Sequence, residues 1–270
     1  MLDLGTACKK DVKTFVMQRS LFCSLLALYS TLVAAAFTGQ DNEGNNLSVD
    51  EVMDRYIEAM GGRAALEQIN SARLRGRVLD GNQVVSTITV LKKVPDRVRV
   101  VIDSGRSRFV QGFDGETVWF SRHAGGQVFH GRMPKSQAEK FIEEAPLTNY
   151  LVRYREEPDL VFELGEDVEL NRIPCYKIIA RFPDGSWNVH IIERERFLER
   201  RIYEYDADGN RLLELIPSQF ERVGGVDFAM RIVRRKEGEN LSTLVLDEVE
   251  INIGILEDAF RPPPELAGKG

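Results

Sequence analysis

Ser71-Ala72-Arg73-Leu74-Arg75-Gly76-Arg77-Val78 is where the spacing of apolar side chains drops to two. Leu74, Gly76 and Val78 alternate with Arg73, Arg75 and Arg77. Successive side chains of a pleated strand point to opposite faces, so this stretch predicts a β-strand with one apolar and one basic face. The same period continues downstream. Val84, Ser86, Ile88 and Val90 make one run, and Val98, Val100 and Ile102 make the next, with Pro95-Asp96 breaking between them. Arg108 to Phe113 and Thr117 to Ser121 follow, joined by the hairpin-type pair Asp114-Gly115. Turns this short join antiparallel neighbours.

Between Pro134 and Glu157 the alternation stops. Lys135 to Glu144 predicts a helix with Ala138, Phe141 and Ile142 on one side, and Leu147 to Tyr154 a second with Leu151 and Tyr154 apolar. Strand patterns then resume at 160–164, 175–182, 187–193, 200–205, 211–220, 226–234 and 242–252. Asp184-Gly185, Asp208-Gly209 and Gly224-Gly225 fall in the gaps, and Pro217 marks a bulge or a strand end. Upstream, Val49, Val52, Met53, Tyr56, Ile57 and Met60 recur at helical spacing. Ser48 with Glu51 forms a capping-box signature, Gly61-Gly62 stops the helix, and a short helical piece from Arg63 to Ile69 follows.

The runs total about eleven to twelve strands, and an open sheet of that size curls or splits. The expected architecture is mainly β: a half-open antiparallel barrel with helices lying over its concave side. It forms a single domain over 48–266, preceded by a linker at 37–47 and followed by a tail at 267–270.

Residues 1–36 read as a secretory signal peptide. Lys9, Lys10, Lys13 and Arg19 precede an apolar run from Leu21 to Ala36 that ends in Ala34-Ala35-Ala36. The run is shorter than the roughly 20 residues of a spanning helix and contains Ser24, Ser30 and Thr31, which favours cleavage over a retained anchor. Met17-Gln18-Arg19 would itself serve as a start, and the mature chain is expected to begin near Phe37. Cys23 lies within the apolar core, so no cysteine stands at the cleavage site for lipid attachment. The expected product is soluble and periplasmic.

Residues 1–36 carry four basic and two acidic side chains, so their loss takes the net charge from −6 to −8. That balance argues against nucleic acid as a partner. Only Cys175 remains in the mature part, so no internal disulfide is possible there and stability must come from the core.

Chemistry-bearing motifs are scarce. His123, His130 and His190 are the only histidines. The first two flank Gly125-Gly126 as loop residues, and no spacing suits a metal; no metal and no cofactor are expected. No G-x-S-x-G or phosphate loop occurs. Cys175 after Pro174 reads as a buried inert thiol. Asp114/Glu116, Glu143/Glu144, Glu156/Glu157 and Glu193/Glu195 are acidic pairs, but nothing selects one as a hydrolase pair over solvated surface. No catalytic residue is assigned. The Arg73, Arg75, Arg77 face, with Arg97 and Arg99 on a neighbouring strand, reads as a solvated outer face crossed by acidic partners, or as a basic patch for headgroups or an acidic protein.

Apolar surface remains. On the strands it comprises Leu74, Val78, Ile88, Val100, Phe109 and Phe120 before the helical interruption, and Ile178, Val189, Phe228 and Ile232 after it. The mid-chain helices add Phe141, Ile142 and Leu151. These residues are either core or the lining of a cavity for an apolar ligand.

The order of several short motifs resembles the outer-membrane lipoprotein-sorting proteins, the periplasmic lipoprotein-carrier (LolA-like) superfamily. They are Tyr56-Ile57-Glu58-Ala59-Met60-Gly61-Gly62 with Ala65-Leu66 and Ile69, leading to Ser71-Ala72-Arg73-Leu74-Arg75-Gly76. Gly112-Phe113-Asp114-Gly115 with Trp119 follows, then Val223-Gly224-Gly225-Val226-Asp227-Phe228, then Val249-Glu250-Ile251-Asn252 with Asp258-Ala259-Phe260. The resemblance runs from about Ser48 to Leu266. It implies an unclosed barrel with a helical lid over an apolar cavity. It further implies a non-enzymatic carrier for a lipid or lipoprotein acyl chain, with lipidated proteins and envelope membrane proteins as partners. The carriers' lid-latching arginine has no motif match here. An interaction or lipid-sensing module of the same shape, and a carboxylate-dependent hydrolase, are the other expectations.

Overall fold

The computed structural model describes residues 47–266. The predicted signal, the linker up to residue 46 and the tail lie outside the described residues. Helix α1 (Val49–Ala59) starts as expected: the Ser48 hydroxyl accepts from the Glu51 N–H, and Glu51 accepts from the Ser48 N–H at 2.7 Å. It buries Val52, Met53, Tyr56 and Ile57. Its end docks on a later hairpin, where the Asp227 N–H donates to the Met60 carbonyl at 2.9 Å. Gly61 has φ +126°, and a Cβ there would lie 2.1 Å from the Gly225 carbonyl oxygen, so only glycine permits this approach. Helix α2 (Arg63–Glu67) follows.

The strands are β1 (Ser71–Asp80), β2 (Gln83–Lys93), β3 (Arg97–Asp103), β4 (Ser107–Phe113), β5 (Val118–Ala124) and β6 (Gln127–Arg132). After helix α3 (Lys135–Glu143) come β7 (Val161–Leu164), β8 (Val168–Leu170), β9 (Ile173–Arg181), β10 (Trp187–Glu193), β11 (Glu199–Tyr205), β12 (Arg211–Val223), β13 (Val226–Lys236) and β14 (Glu239–Ile251). They form one 14-stranded antiparallel sheet rather than eleven or twelve strands. The two extra are β6 and β8. In β6 the apolar Val128 and Phe129 are adjacent, so no period of two is visible, and β8 is only three residues long. His123 and His130 accordingly sit on paired strands, not in a loop.

The order β6-β5-β4-β3-β2-β1-β14-β13-β12-β11-β10-β9-β7, with β8 on β9, is linear, so the barrel is not closed. β1 pairs with both β2 and β14 and joins two meanders. β6 and β7 are therefore the two ends of the path, and residues 133–160 must run from one to the other. Phe141 and Ala145 of this crossing pack on Val78, Ile88, Val98, Val100 and Ile102. Leu151, Val152 and Tyr154 pack on Tyr176, Ile178 and Ile192 together with α1. The crossing thus lies over the concave face as a lid. Its second part is not the helix that the spacing predicts over Leu147–Tyr154, but turns ending in one 3₁₀ turn at Tyr154–Glu156. The Asn149 carboxamide oxygen accepts from the Val152 N–H at 3.1 Å, a side-chain bond that competes with helical pairing.

The basic face of β1 points outward. Arg73 pairs with Glu250, Arg75 with Glu248 at 2.6 Å and Arg77 with Asp247 at 2.6 Å, all on neighbouring β14. This is the solvated face crossed by acidic partners. Pro217 neither ends nor bulges β12. It sits opposite Ile232 within the β12–β13 pairing, beyond the stretch from Arg211 to Leu215 that pairs with β11. The C-terminal segment crosses the outer face of β2–β5. Glu257 pairs with Lys93 and Arg97, and the Trp119 indole N–H donates to the Phe260 carbonyl at 2.9 Å.

Candidate functional site

Ile88, Val100 and Phe141 lie together in the aliphatic cluster under α3, with Val78. Phe109 and Phe120 share that concave face, their rings 6.0 Å apart, and continue to the exposed Phe129 at 5.8 Å. Leu74 and Phe228 pack where β1, β13 and β14 meet, and Ile232 stands opposite Leu244 on the same side. Ile178 and Leu151 are wholly buried between the second part of the lid and β9. Two expected lining residues do not join them. Ile142 is 37% exposed, because α3 turns Ala138 and Phe141 inward and leaves Ile142 on its flank. Val189 points to the outer face: Ile178 is opposite His190, so the register puts His190 inside and Val189 outside.

Polar ties fasten the lid at several points. Lys92 of β2 passes beneath it and donates to the carbonyls of Glu144 at 2.6 Å and Pro146 at 2.9 Å. These oxygens close the C-terminus of α3, where helix carbonyls lack partners and a cation is favoured. Burial pushes the Lys92 ammonium below its usual range. Further along, Arg155 makes two 2.9 Å bonds to Asp54 of α1, and the Tyr154 hydroxyl donates to the same carboxylate at 3.1 Å. Arg155 holds Asp54 below the usual carboxylate range.

Between these ties lies a buried hydrogen-bond chain. The His190 ring is 3% exposed. Its Nδ1 is 2.5 Å from Glu199 Oε1, and its Nε2 is 2.8 Å from the hydroxyl of Tyr150, a lid residue. The Asn188 amide donates to that same hydroxyl at 2.7 Å. On the other side of Glu199, the Tyr56 hydroxyl donates to Oε2 at 3.4 Å and accepts from the Asn149 amide at 3.0 Å. Burial raises both tyrosines well above their usual range, so each keeps its proton to donate. Glu199 and His190 Nδ1 share one hydrogen bond, and Nε2 on the far side of the ring faces the Tyr150 hydroxyl. The chain joins α1, the lid and strands β10 and β11.

Sequence reasoning missed this chain because its members are 143 positions apart at the widest, Tyr56 to Glu199. One signal was present: His190 lies between Val189 and Ile191, and the alternation was read with the apolar residues inward. The outer face here is itself apolar. Val189, Ile191, Ile179, Trp187, Tyr203 and Tyr205 line an open cleft of about 600 Å³ on it. Cys175 is buried on that side, donates to the Ile173 carbonyl at 3.3 Å, and burial raises its thiol. Of the acidic pairs, Asp114 accepts the Glu116 and Thr117 N–H groups, Glu157 pairs with Arg153, and buried Glu193 pairs with Arg200.

No family model matches the chain, and no curated protein matches it. Solved structures do. A DUF1329 family protein from Desulfovibrio piger superposes with a TM-score of 0.58 at 13% identity, over 80% of this chain and 98% of that one. A LolA superfamily protein from Nitrosomonas europaea gives 0.55 at 14%, over 80% and 98%. A putative outer membrane lipoprotein-sorting protein domain from Vibrio parahaemolyticus gives 0.53 at 12%, over 78% and 97%. The chain has the open LolA-like β-barrel fold. Its motifs meet in space: Gly61 touches Gly225, and Trp119 bonds to Phe260.

Proposed function

We propose that this protein is an exported, periplasmic, non-enzymatic carrier for an acyl chain of a lipid or lipidated protein, which it holds on the concave face once the lid lifts. The single observation that carries this reading is Lys92. The inner end of α3 hangs from one ammonium group, not from a strand ladder, above a floor made almost wholly of aliphatic side chains. That floor is filled in the present arrangement, so capture requires the lid to move. The magnitudes allow it. A chain of a dozen methylenes gains roughly 10 kcal/mol on burial at about 0.8 each. Breaking the charged hydrogen bonds of Lys92 costs about 1.5–3 kcal/mol each. Envelope membrane proteins would deliver and receive the cargo.

The mature protein purified from its host should carry lipid, read by solvent extraction and mass spectrometry, and should bind a fluorescent acyl probe. An empty protein that also fails to bind the probe would overturn the proposal. The outer aromatic cleft favours a second reading, a docking module for another envelope protein. Partner capture by lipid-free protein, lost on Trp187→Ala, supports that reading.

A further inference from the structure

The Tyr150 side chain has the chemistry of a ligand already in place. Its ring sits edge-on to Phe182 at 5.4 Å and near Phe162 at 6.4 Å. Its hydroxyl accepts from Asn188 and is hydrogen-bonded to His190 Nε2 at 2.8 Å. Asn188 and His190 belong to β10 and stay with the sheet, whereas Tyr150 belongs to the lid. When the lid lifts, Tyr150 leaves and takes its hydroxyl with it. One amide N–H and one imidazole nitrogen then face the concavity without partners. His190 cannot turn away, because Glu199 holds its other nitrogen at 2.5 Å. Buried polar groups left unpaired are costly, so the opened site selects a ligand that restores both bonds.

We infer that the concave face of β10 is a polar subsite for a hydroxyl group carried on an apolar body, and that Tyr150 occupies it as a built-in substitute when the lid is closed. A hydroxyl replaces Tyr150 atom for atom: it accepts from Asn188 and can serve His190 Nε2 as donor or acceptor. An ether or ester oxygen has no proton to offer Nε2, and a plain hydrocarbon restores neither bond. The ligand class is therefore a hydroxylated amphiphile, such as a hydroxyacyl chain. This inference rests on the acyl-carrier reading and narrows its cargo.

The test uses three probes of matched length: 1-dodecanol, dodecyl methyl ether and dodecane. Each competes with a fluorescent naphthylamine dye on the full mature protein. Comparing affinity ratios between protein variants cancels the probes' own differences in hydrophobicity. In Asn188→Leu the preference for dodecanol over dodecane should fall about tenfold relative to the unaltered protein, with the ether between them. Tyr150→Phe keeps both sheet groups and removes the competing hydroxyl, so it should raise dodecanol affinity several-fold more than dodecane affinity. Near-ultraviolet circular dichroism checks that both variants fold, and Tyr150→Phe alone suffices should Asn188→Leu not fold. If all three probes displace the dye with ratios unchanged by the variants, the hydroxyl subsite is overturned and the acyl reading stands. If none displaces it, the acyl reading falls and the subsite with it.

Discussion

The two halves of the concave floor are built on opposite principles. Under α3, strands β1–β3 offer mainly aliphatic side chains, Val78, Ile88, Val98, Val100 and Ile102, with Lys92 at their edge. Under α1 and the second part of the lid, strands β10 and β11 offer Asn188, His190 and Glu199 joined in one hydrogen-bond chain. An aliphatic floor is defined by volume alone and accepts any apolar filling of the right size. A satisfied buried polar chain accepts only partners that complete it. On the carrier reading proposed above, one half would supply burial and the other discrimination.

The largest expected effect would break the polar half. His190→Leu leaves the buried Glu199 carboxylate with only the 3.4 Å bond from Tyr56, and should destabilise the fold by about 3–5 kcal/mol in denaturant unfolding. The double change His190→Leu with Glu199→Met should recover part of that loss, since it removes the buried carboxylate while the Tyr56 and Tyr150 hydroxyls keep their bonds from Asn149 and Asn188. Next comes the tie between the halves. Lys92→Met frees the carbonyls of Glu144 and Pro146; a loss of about 1–3 kcal/mol and faster hydrogen exchange in residues 141–154 are expected. A rigid lid with unchanged exchange would show that Lys92 is no latch. In the aliphatic half, Ile102→Val should cost only about 0.5–1.5 kcal/mol, and equal losses in the two halves would erase the distinction drawn between them.

The smallest effect is electrostatic and depends on pH. Arg155 depresses Asp54, so the stability of this tie is full above the ordinary carboxylate value and is lost as pH falls through the depressed one. Both side chains are about half exposed, which limits the contribution to about 0.2–1 kcal/mol. Asp54→Asn should flatten that acid limb of the unfolding profile without changing the neutral plateau by more than this amount.

Most of the fold was legible because it rests on local signals. The alternation of Leu74, Gly76 and Val78 with three arginines gave both the strand and its outward face, and Ser48 with Glu51 gave the start of α1. Strand β6 was not legible: edge strands need less burial, and adjacent Val128 and Phe129, 53% and 63% exposed, carry no period. The site was half legible. Aliphatic lining residues such as Ile88 and Val100 announce themselves by pattern. Val189 misled, because a strand with apolar side chains on one face and His190 on the other normally buries the former. Here the outer face gathers its own aromatic cluster, and only the register of β9 on β10 decides which side is which. The polar chain was invisible because its members converge from four segments with no common spacing.

The crossing from β6 to β7 has a mechanical corollary. A flap hinged at one side can swing clear of what it covers, but residues 133–160 are fastened to both margins of the same sheet. On the carrier reading proposed above, they would act like the string of a bow: flattening of the sheet would draw the string onto the floor, and curling of the sheet would give it the slack to rise.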